Sequence, residues 1–304
     1  MSRVPLIDAL KKFADRRPAY FCVPGHRYEN GISKELTALF GSEVFKYDLT
    51  EAEGLDNLHA PGGAILEAER LAAELFGSSG CRFLVNGTTS GNEAMILASC
   101  GEGDEILIPR NAHRSVVMGL ILSGARPVWL EPEYLPEWGI YGALRASAVE
   151  KALEEHPKAK AVFLVSPNYY GILSEVREIS GLSHDRGIPV LVDEAHGSHL
   201  YFSGAGLGAL SCGADACAMS IHKTAGSMTQ SSLLHLNSSL IDPSRLDQAV
   251  KFFTSTSPSY ILMASLDAAR AQLEEKGFEM TARSEALAEA ARRELLKIPG
   301  IRVL

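Results

Sequence analysis

Apolar residues recur along this chain at helical and at strand spacing, and the alternation between the two organises it. Residues 4–16 carry Leu6, Leu10 and Phe13 one helical turn apart and stop before Pro18, which predicts an amphipathic helix. Residues 20–63 hold neither period. They are rich in glycine and polar residues and read as a long irregular segment, a kind that often carries function. Regular elements return at residue 64: helix 64–76, strand 82–85, a helix beginning near Ser90, strand 104–108, helix 113–123 and strand 127–130. The short, wholly apolar runs at 161–165, 189–193, 214–219 and 232–236 suit strands buried on both faces of a parallel sheet. Residues 243–298 predict mainly helix, with one long Ala/Glu/Arg-rich helix from Thr281 to Leu296, and 301–304 has the look of a further strand beginning. The expected fold class is α/β, a mostly parallel mixed sheet with helices on both faces. Residues 1–63 then form an N-terminal helix and irregular segment, and residues 64–304 a large α/β unit.

Composition narrows the function classes. The 304 residues are 46% hydrophobic and 22% charged, as in ordinary soluble globular proteins, and no apolar run approaches the length of a membrane span. A net charge of −8 without any basic run argues against a nucleic-acid partner. Lys11, Lys12 and Asp15 come before any apolar core segment builds, which argues against a secretory leader. Five cysteines, an odd number with no Cys-x-x-Cys, point to a reduced, cytoplasmic protein.

Four segments carry candidate chemistry. Residues 86–92 (Asn-Gly-Thr-Thr-Ser-Gly-Asn) join a strand to a helix. Thr88, Thr89 and Ser90 with the helix's first N–H groups make either a phosphate site or a plainly capped helix start. The segment lacks a Walker lysine and dinucleotide spacing, so ATP and NAD fit poorly. Asp193 ends an apolar strand, where open α/β sheets bind ligands; it is either a partner for a protonated ring nitrogen or a helix cap or ion-pair member. Asp193, Glu194, His196 and His199 form the best metal candidate, but at no recognised zinc spacing, so metal ranks below an organic cofactor. Lys223, between His222 and Thr224 after the 214–219 run, is either an imine-forming amine or a solvated loop lysine. His113, opening a helix, is either a ring that could stack on an aromatic cofactor or an ordinary surface or satisfied core histidine. A lysine amine and an acid for a pyridinium are what pyridoxal phosphate needs most.

Together these pieces resemble the pyridoxal-phosphate-dependent ornithine/lysine/arginine decarboxylases of the aspartate-aminotransferase fold, nearest the shorter bacterial arginine decarboxylase-like group. The resemblance is carried by Pro-Gly-His-Arg at 24–27, Asp-Leu-Thr-Glu at 48–51, Gly-Leu-Asp-Asn-Leu-His at 54–59 and the 86–92 segment. It continues with Asn-Ala-His-Arg-Ser at 111–115, Asp-Glu-Ala-His-Gly at 193–197, Ser-Ile-His-Lys-Thr at 220–224 and Ser-Thr-Ser-Pro-Ser-Tyr at 255–260. It implies pyridoxal 5'-phosphate held by Lys223 as Schiff base, Asp193 on the ring nitrogen and His113 on the ring face. Thr88, Thr89, Ser90, Ser220 and His222 are implied on the phosphate side, with His196 as a further cofactor contact. Lys223, His222 and His113 are the implied catalytic residues. Thr256 is implied to reach the cofactor phosphate of a neighbouring subunit, hence a homodimer or higher even oligomer with shared sites to which residues 1–63 contribute. The family usually has lysine where this chain has Arg27, and its large domain is followed by a small C-terminal domain that is apparently absent here.

The implied reaction is decarboxylation of a basic amino acid, arginine to agmatine for polyamine synthesis first, lysine or ornithine next. Asp48, Glu51 or Asp56 are candidates to hold the substrate's distal cation. Another reaction on the same cofactor, transamination or elimination, and a cofactor-binding relative without turnover stay open.

Overall fold

A computed structural model describes residues 2–16, 18–19, 21–28 and 30–304. In chain order the helices are α1 (Pro5–Asp15), α2 (Lys34–Phe40), α3 (Ala64–Phe76), α4 (Gly87–Ser99), α5 (Arg114–Ser123), α6 (Ala146–Glu155), α7 (Val176–His184), α8 (Ile221–Thr224), α9 (Pro243–Phe252) and α10 (Tyr260–Leu295). The strands are β1 (Gly80–Leu84), β2 (Glu105–Pro109), β3 (Arg126–Leu130), β4 (Tyr134–Leu135), β5 (Ile140–Tyr141), β6 (Ala161–Val165), β7 (Val190–Asp193), β8 (Ala216–Met219) and β9 (Ser232–Leu236).

Seven strands form one sheet in the order β1-β9-β8-β7-β6-β2-β3, and β4 pairs with β5 in a small hairpin. The β3-β2-β6-β7-β8 run is parallel, whereas β9 is antiparallel to both β8 and β1. The expected mostly parallel mixed sheet is therefore present. Because β9 runs backwards, its first residues lie at the same edge where the parallel strands end.

Successive residues of each strand feed opposite cores, as the period-2 geometry requires. Val162, Leu164, Val190, Val192, Cys217 and Met219 pack into the layer that includes α1, α3, α6, α7 and α10 residues. Ala161, Phe163, Leu191, Ala216 and Ala218 pack into the layer formed with α4, α5 and α9. The strands are apolar on both faces because helices cover both.

The N-terminal helix lies where its period predicts, with Leu6, Leu10 and Phe13 buried. No side chain at its own start caps it; instead the buried Asp267 of α10 accepts the Leu6 N–H at 2.9 Å, and Arg270 donates to the same carboxylate at 2.9 Å.

Several sequence expectations need correction. The helix expected from Thr281 begins at Tyr260, where Ser259 accepts the Leu262 N–H, so α10 runs unbroken through the Gly277 position. The 20–63 segment contains α2 and a short 3-10 turn at Glu43–Lys46; Tyr20 and Glu29 of that segment lie outside the described residues. Residues 301–304 form no strand, since a strand needs a neighbour for its N–H and C=O groups and none of the described strands pairs with them. The helix expected near Ser90 starts at Gly87, so Thr88, Thr89 and Ser90 belong to its first turn. The α6 and α7 helices, which the sequence periods above do not include, bury Val149, Ala152 and Leu153 and Val176 and Ile179.

Candidate active site

The carboxyl ends of β1, β2, β6, β7 and β8 and the start of β9 surround a cavity of about 430 Å3. This is the edge where open α/β sheets bind ligands. Asn86 to Thr89 and Asn92 come from the β1–α4 turn and helix, Asn111 and His113 from beyond β2, and Val165 and Tyr169 from the end of β6. Asp193, Ala195 and His196 follow β7; Ser220, His222 and Lys223 follow β8; Thr229 and Gln230 precede β9.

The α4 end is pinned to the sheet by shape. A Cβ on Gly91 would stand 2.8 Å from the Ala218 Cβ and 2.9 Å from the Leu84 Cδ1, so only glycine lets the helix approach this closely. Gly87, at φ +72°, turns the chain into the helix, and its N–H donates to the Gln230 carbonyl at 2.8 Å. No side chain caps α4. Of the two readings of 86–92, the plainly capped helix start is therefore the one the geometry does not support. Thr88 pairs with the Ser220 hydroxyl at 2.8 Å and donates to Ser232 at 3.2 Å, a buried hydroxyl cluster beneath the helix start. Ser90 turns away: its hydroxyl donates to the Gly87 carbonyl at 2.9 Å, and it does not line the cavity.

Asp193 is 5% exposed and belongs to no ion pair among the described residues. Its Oδ2 accepts from Asn92 Nδ2 at 2.8 Å and its Oδ1 from the Ala195 N–H at 3.1 Å. Burial pushes its carboxyl above the ordinary aspartate value, while these two bonds and the charges of His113 and Lys223 pull it part of the way back. A cation brought against it would complete that pull. His113 caps α5, its Nδ1 accepting the Ser115 N–H at 3.2 Å. His222 donates Nδ1–H to the Ser231 carbonyl at 2.8 Å. Lys223 stands in the one-turn α8, exposed to the open cavity rather than buried, with Nζ 3.2 Å from His196 Nε2. Burial and the Lys223 charge hold His196 below the ordinary histidine value.

The acid/histidine cluster of 193–199 does not converge. Glu194 points into the core, its Oε1 accepting from the Ala209 N–H at 2.7 Å and its Oε2 from the Tyr201 hydroxyl at 2.9 Å, and burial pushes it up to about 8. His199 lies in a separate cleft against α10 with Glu285. Among the described residues no group of three or more His, Cys, Asp and Glu side chains is arranged to hold a metal.

The three carboxylates considered for a substrate cation stand elsewhere. Asp56 is consumed structurally: it accepts the N–H groups of Asn57, Gly62, Gly63 and Ile65 at 2.8–2.9 Å and caps α3. Asp48 pairs with His26 Nε2 at 3.1 Å, and Glu51 with the Thr50 hydroxyl at 3.0 Å. None of them lines the cavity of its own chain, and neither does Thr256, which is exposed.

Sequence reasoning assigned no role to Asn92, Asn111, Tyr169, Thr229 or Gln230, all of which line the cavity. A positional signal existed: Asn92 is one helical turn past Thr88, and the others flank the edge ends of apolar strands.

The fold is a three-layer α/β architecture with a cavity at its strand ends lined by a lysine and a buried carboxylate. The chain belongs to the Orn/Lys/Arg decarboxylase family, whose major domain matches residues 4–303. It is similar to an arginine decarboxylase of Bacillus subtilis (strain 168), 41% identical over 298 residues that cover 98% of this chain and 61% of that protein. An arginine decarboxylase of Halalkalibacterium halodurans is 40% identical over 98% of this chain and 61% of its own length. Among solved structures, the lysine decarboxylase LdcF of Francisella novicida superposes with a TM-score of 0.86 at 26% identity, covering 96% of this chain and 44% of that one. The chain thus spans about three fifths of the curated relatives it matches.

Proposed function

We propose that this chain binds pyridoxal 5'-phosphate in the cavity at the strand ends and forms the major domain of a basic amino-acid decarboxylase, with arginine as first substrate. The observation that carries the reading is that Lys223, Asp193 and His113, from three distant segments, line one cavity. The arginine decarboxylase relatives support the choice of substrate; lysine comes next, as lysine decarboxylases are among the similar solved structures.

The residues present fit the cofactor. Asp193, buried and hydrogen-bonded by the Asn92 amide and the Ala195 N–H, would pair with the pyridine nitrogen. Lys223 is the amine that would hold the cofactor covalently. The uncapped start of α4, with Thr89 and the Thr88–Ser220 hydroxyls, would take the phosphate. When bound, the cofactor supplies the electron sink for the bond that breaks. The chain's own work is then to orient and to move protons. Asp193 keeps an opposite charge beside the ring nitrogen, which favours its protonated form. Lys223, 3.2 Å from His196 Nε2, would carry an exchangeable proton. His222, anchored on the Ser231 carbonyl through Nδ1, lines the same cavity and would contact the phosphate.

Thr256, exposed and outside its own chain's cavity, supports a second reading for assembly: it serves the phosphate of a second copy, in a homodimer to which residues 1–63 contribute. Agmatine made this way in the cytoplasm would serve polyamine synthesis.

Carbon dioxide release from arginine, lysine and ornithine at equal concentration, with added cofactor, tests the proposal. Release from arginine in preference to the others supports it. A folded protein that takes up the cofactor and releases no carbon dioxide from any of the three would refute it for this chain.

A further inference from the structure

Asn92 stands between the two cavity residues that matter most for a cofactor ring. One N–H of its amide donates to Asp193 Oδ2 at 2.8 Å and the other to the Ser115 hydroxyl at 3.0 Å. The orientation of the amide is decided by chemistry, since a carboxylate accepts and so requires the NH2 side. Asn92 Oδ1 is then left buried without a partner, so the side chain gives up one acceptor to make both donations. Asn92 itself is fully buried at 0% exposure, and Ser115 is 1% exposed.

The direction of these bonds propagates. Ser115 Oγ accepts from Asn92, so its own proton is free to go to His113 Nδ1, 2.8 Å away. The Ser115 backbone N–H points at the same nitrogen from 3.2 Å. Two donors aimed at Nδ1 make it the unprotonated nitrogen of the neutral ring. The ring proton of His113 is therefore on Nε2.

We propose that Asn92 is a positioning residue which, through Ser115, fixes the tautomer of His113 while its second N–H holds Asp193 in place for a cationic ring. The Asp193-Asn92-Ser115-His113 chain joins the ends of β7 and β2 through α4. One buried amide thereby sets a hydrogen-bond acceptor on one side of the cavity and a donor, His113 Nε2–H, on another. In its neutral form His113 consequently meets whatever fills the cavity as an Nε2–H donor, and does not act as a base through Nδ1. Ser115 is not among the residues lining the cavity, and Asn92, which borders it, directs both amide N–H groups into the protein; they act through His113 and Asp193. The inference deepens the cofactor reading for its purpose, but the tautomer itself is a property of the protein alone.

The test is nitrogen-15 NMR of histidine-labelled protein, without and with pyridoxal phosphate, the His113 signals being assigned by their loss in His113→Gln. The expected result without cofactor is an Nδ1 resonance at the position of an unprotonated imidazole nitrogen and an Nε2 resonance at that of a protonated one. Ser115→Ala removes the hydroxyl without touching Asp193, and should move both signals toward the averaged values of a mixed tautomer. Ser115→Thr, which keeps the hydroxyl, should restore them. Asn92→Ala should weaken both ends: a shift of the His113 signals together with cofactor binding weaker by about tenfold or more, the loss of one charge-assisted bond. Unchanged His113 signals in a folded Ser115→Ala protein would overturn the relay, as would Asn92→Ala with wild-type signals and wild-type cofactor affinity. If the wild-type signals are as stated but no cofactor binds, the relay stands and the proposed function fails.

Discussion

Lys223 Nζ lies 3.2 Å from His196 Nε2, so a cavity amine donates to an imidazole that its own charge helps keep neutral. An amine becomes a nucleophile only when a proton leaves it, and His196 is the acceptor in reach. His196→Gln should slow formation of the covalent Lys223–cofactor adduct about tenfold or more near neutral pH, within the range for removal of a proton acceptor. Lys223→Ala should abolish the adduct and carbon dioxide release together. The rise of the adduct's visible absorbance after mixing reads both; equal rates for wild type and His196→Gln would take His196 out of the step.

Gly91 is where α4 touches the sheet. In Gly91→Ala the new methyl would fall 2.8 Å from the Ala218 Cβ and 2.9 Å from the Leu84 Cδ1, neither at the end of a long flexible side chain. The expected cost is about 1–3 kcal/mol of stability, as for other overpacked cores. The helix start should lift with it, so cofactor affinity should fall alongside the melting temperature. A calorimetric scan and a cofactor titration on the same preparation check this; an unchanged Tm would show that the packing yields more easily than the distances imply.

Asp56 holds the entry to α3. Burial alone would raise its carboxyl, but the N–H groups of Gly62, Asn57, Gly63 and Leu66 outweigh that and bring it below the ordinary value of 3.8. Its stabilising contribution is therefore fully present above that value and is lost as pH falls through the lower folded one. Asp56→Ala should cost about 2 kcal/mol or more at neutral pH, at the upper end for a lost helix cap. The difference from wild type should shrink progressively as pH falls below about 4 and the wild-type carboxylate takes up its proton. Urea midpoints at several pH values measure it.

Glu69 carries the opposite sign. It is 2% exposed, accepts the Phe83 N–H at 2.9 Å through Oε1, and burial pushes it up to about 7 despite that bond and nearby Arg82. A raised acid binds its proton more tightly in the folded chain, so stability falls as pH rises from the ordinary value of 4.5 through about 7. The full loss is on the order of 3 kcal/mol. Glu69→Gln removes the titration and should flatten the decline in Tm between pH 5 and 8, roughly that same window. An equally steep decline in the variant would place the pH dependence elsewhere.

The strands were legible because burial on both faces leaves an apolar run that needs no knowledge of neighbours: 161–165 and 232–236 match β6 and β9 residue for residue. The antiparallel direction of β9 was not legible, since an apolar run reads the same in either sense. The long α10 was cut short in the sequence reading because its first half is buried on several sides and shows no clean stripe: Tyr260, Met263, Leu266, Asp267 and Arg270 are all buried there. Asp267 and Arg270 look like solvated charges in sequence, and only the packing of α1 against them reveals their use.

For the site, local pattern determined which residues stand at or just past a strand end, which put Lys223 and Asp193 forward, while His113 and the roles of all three came from the family resemblance. The sequence also determined the glycines that let α4 turn and approach, because backbone freedom belongs to a residue and not to its surroundings. What the tertiary structure decided is who bonds to whom. Asn92 and Asp193 are 101 positions apart and meet only because β1 and β7 lie in one sheet under one helix. The same folding took Asp56 and Glu194 out of contention for substrate or metal by surrounding each with its own N–H or O–H donors. Periodicity is a property of a window of chain, whereas a hydrogen bond is a property of a distance, and distances between far segments exist only after the sheet has chosen its order.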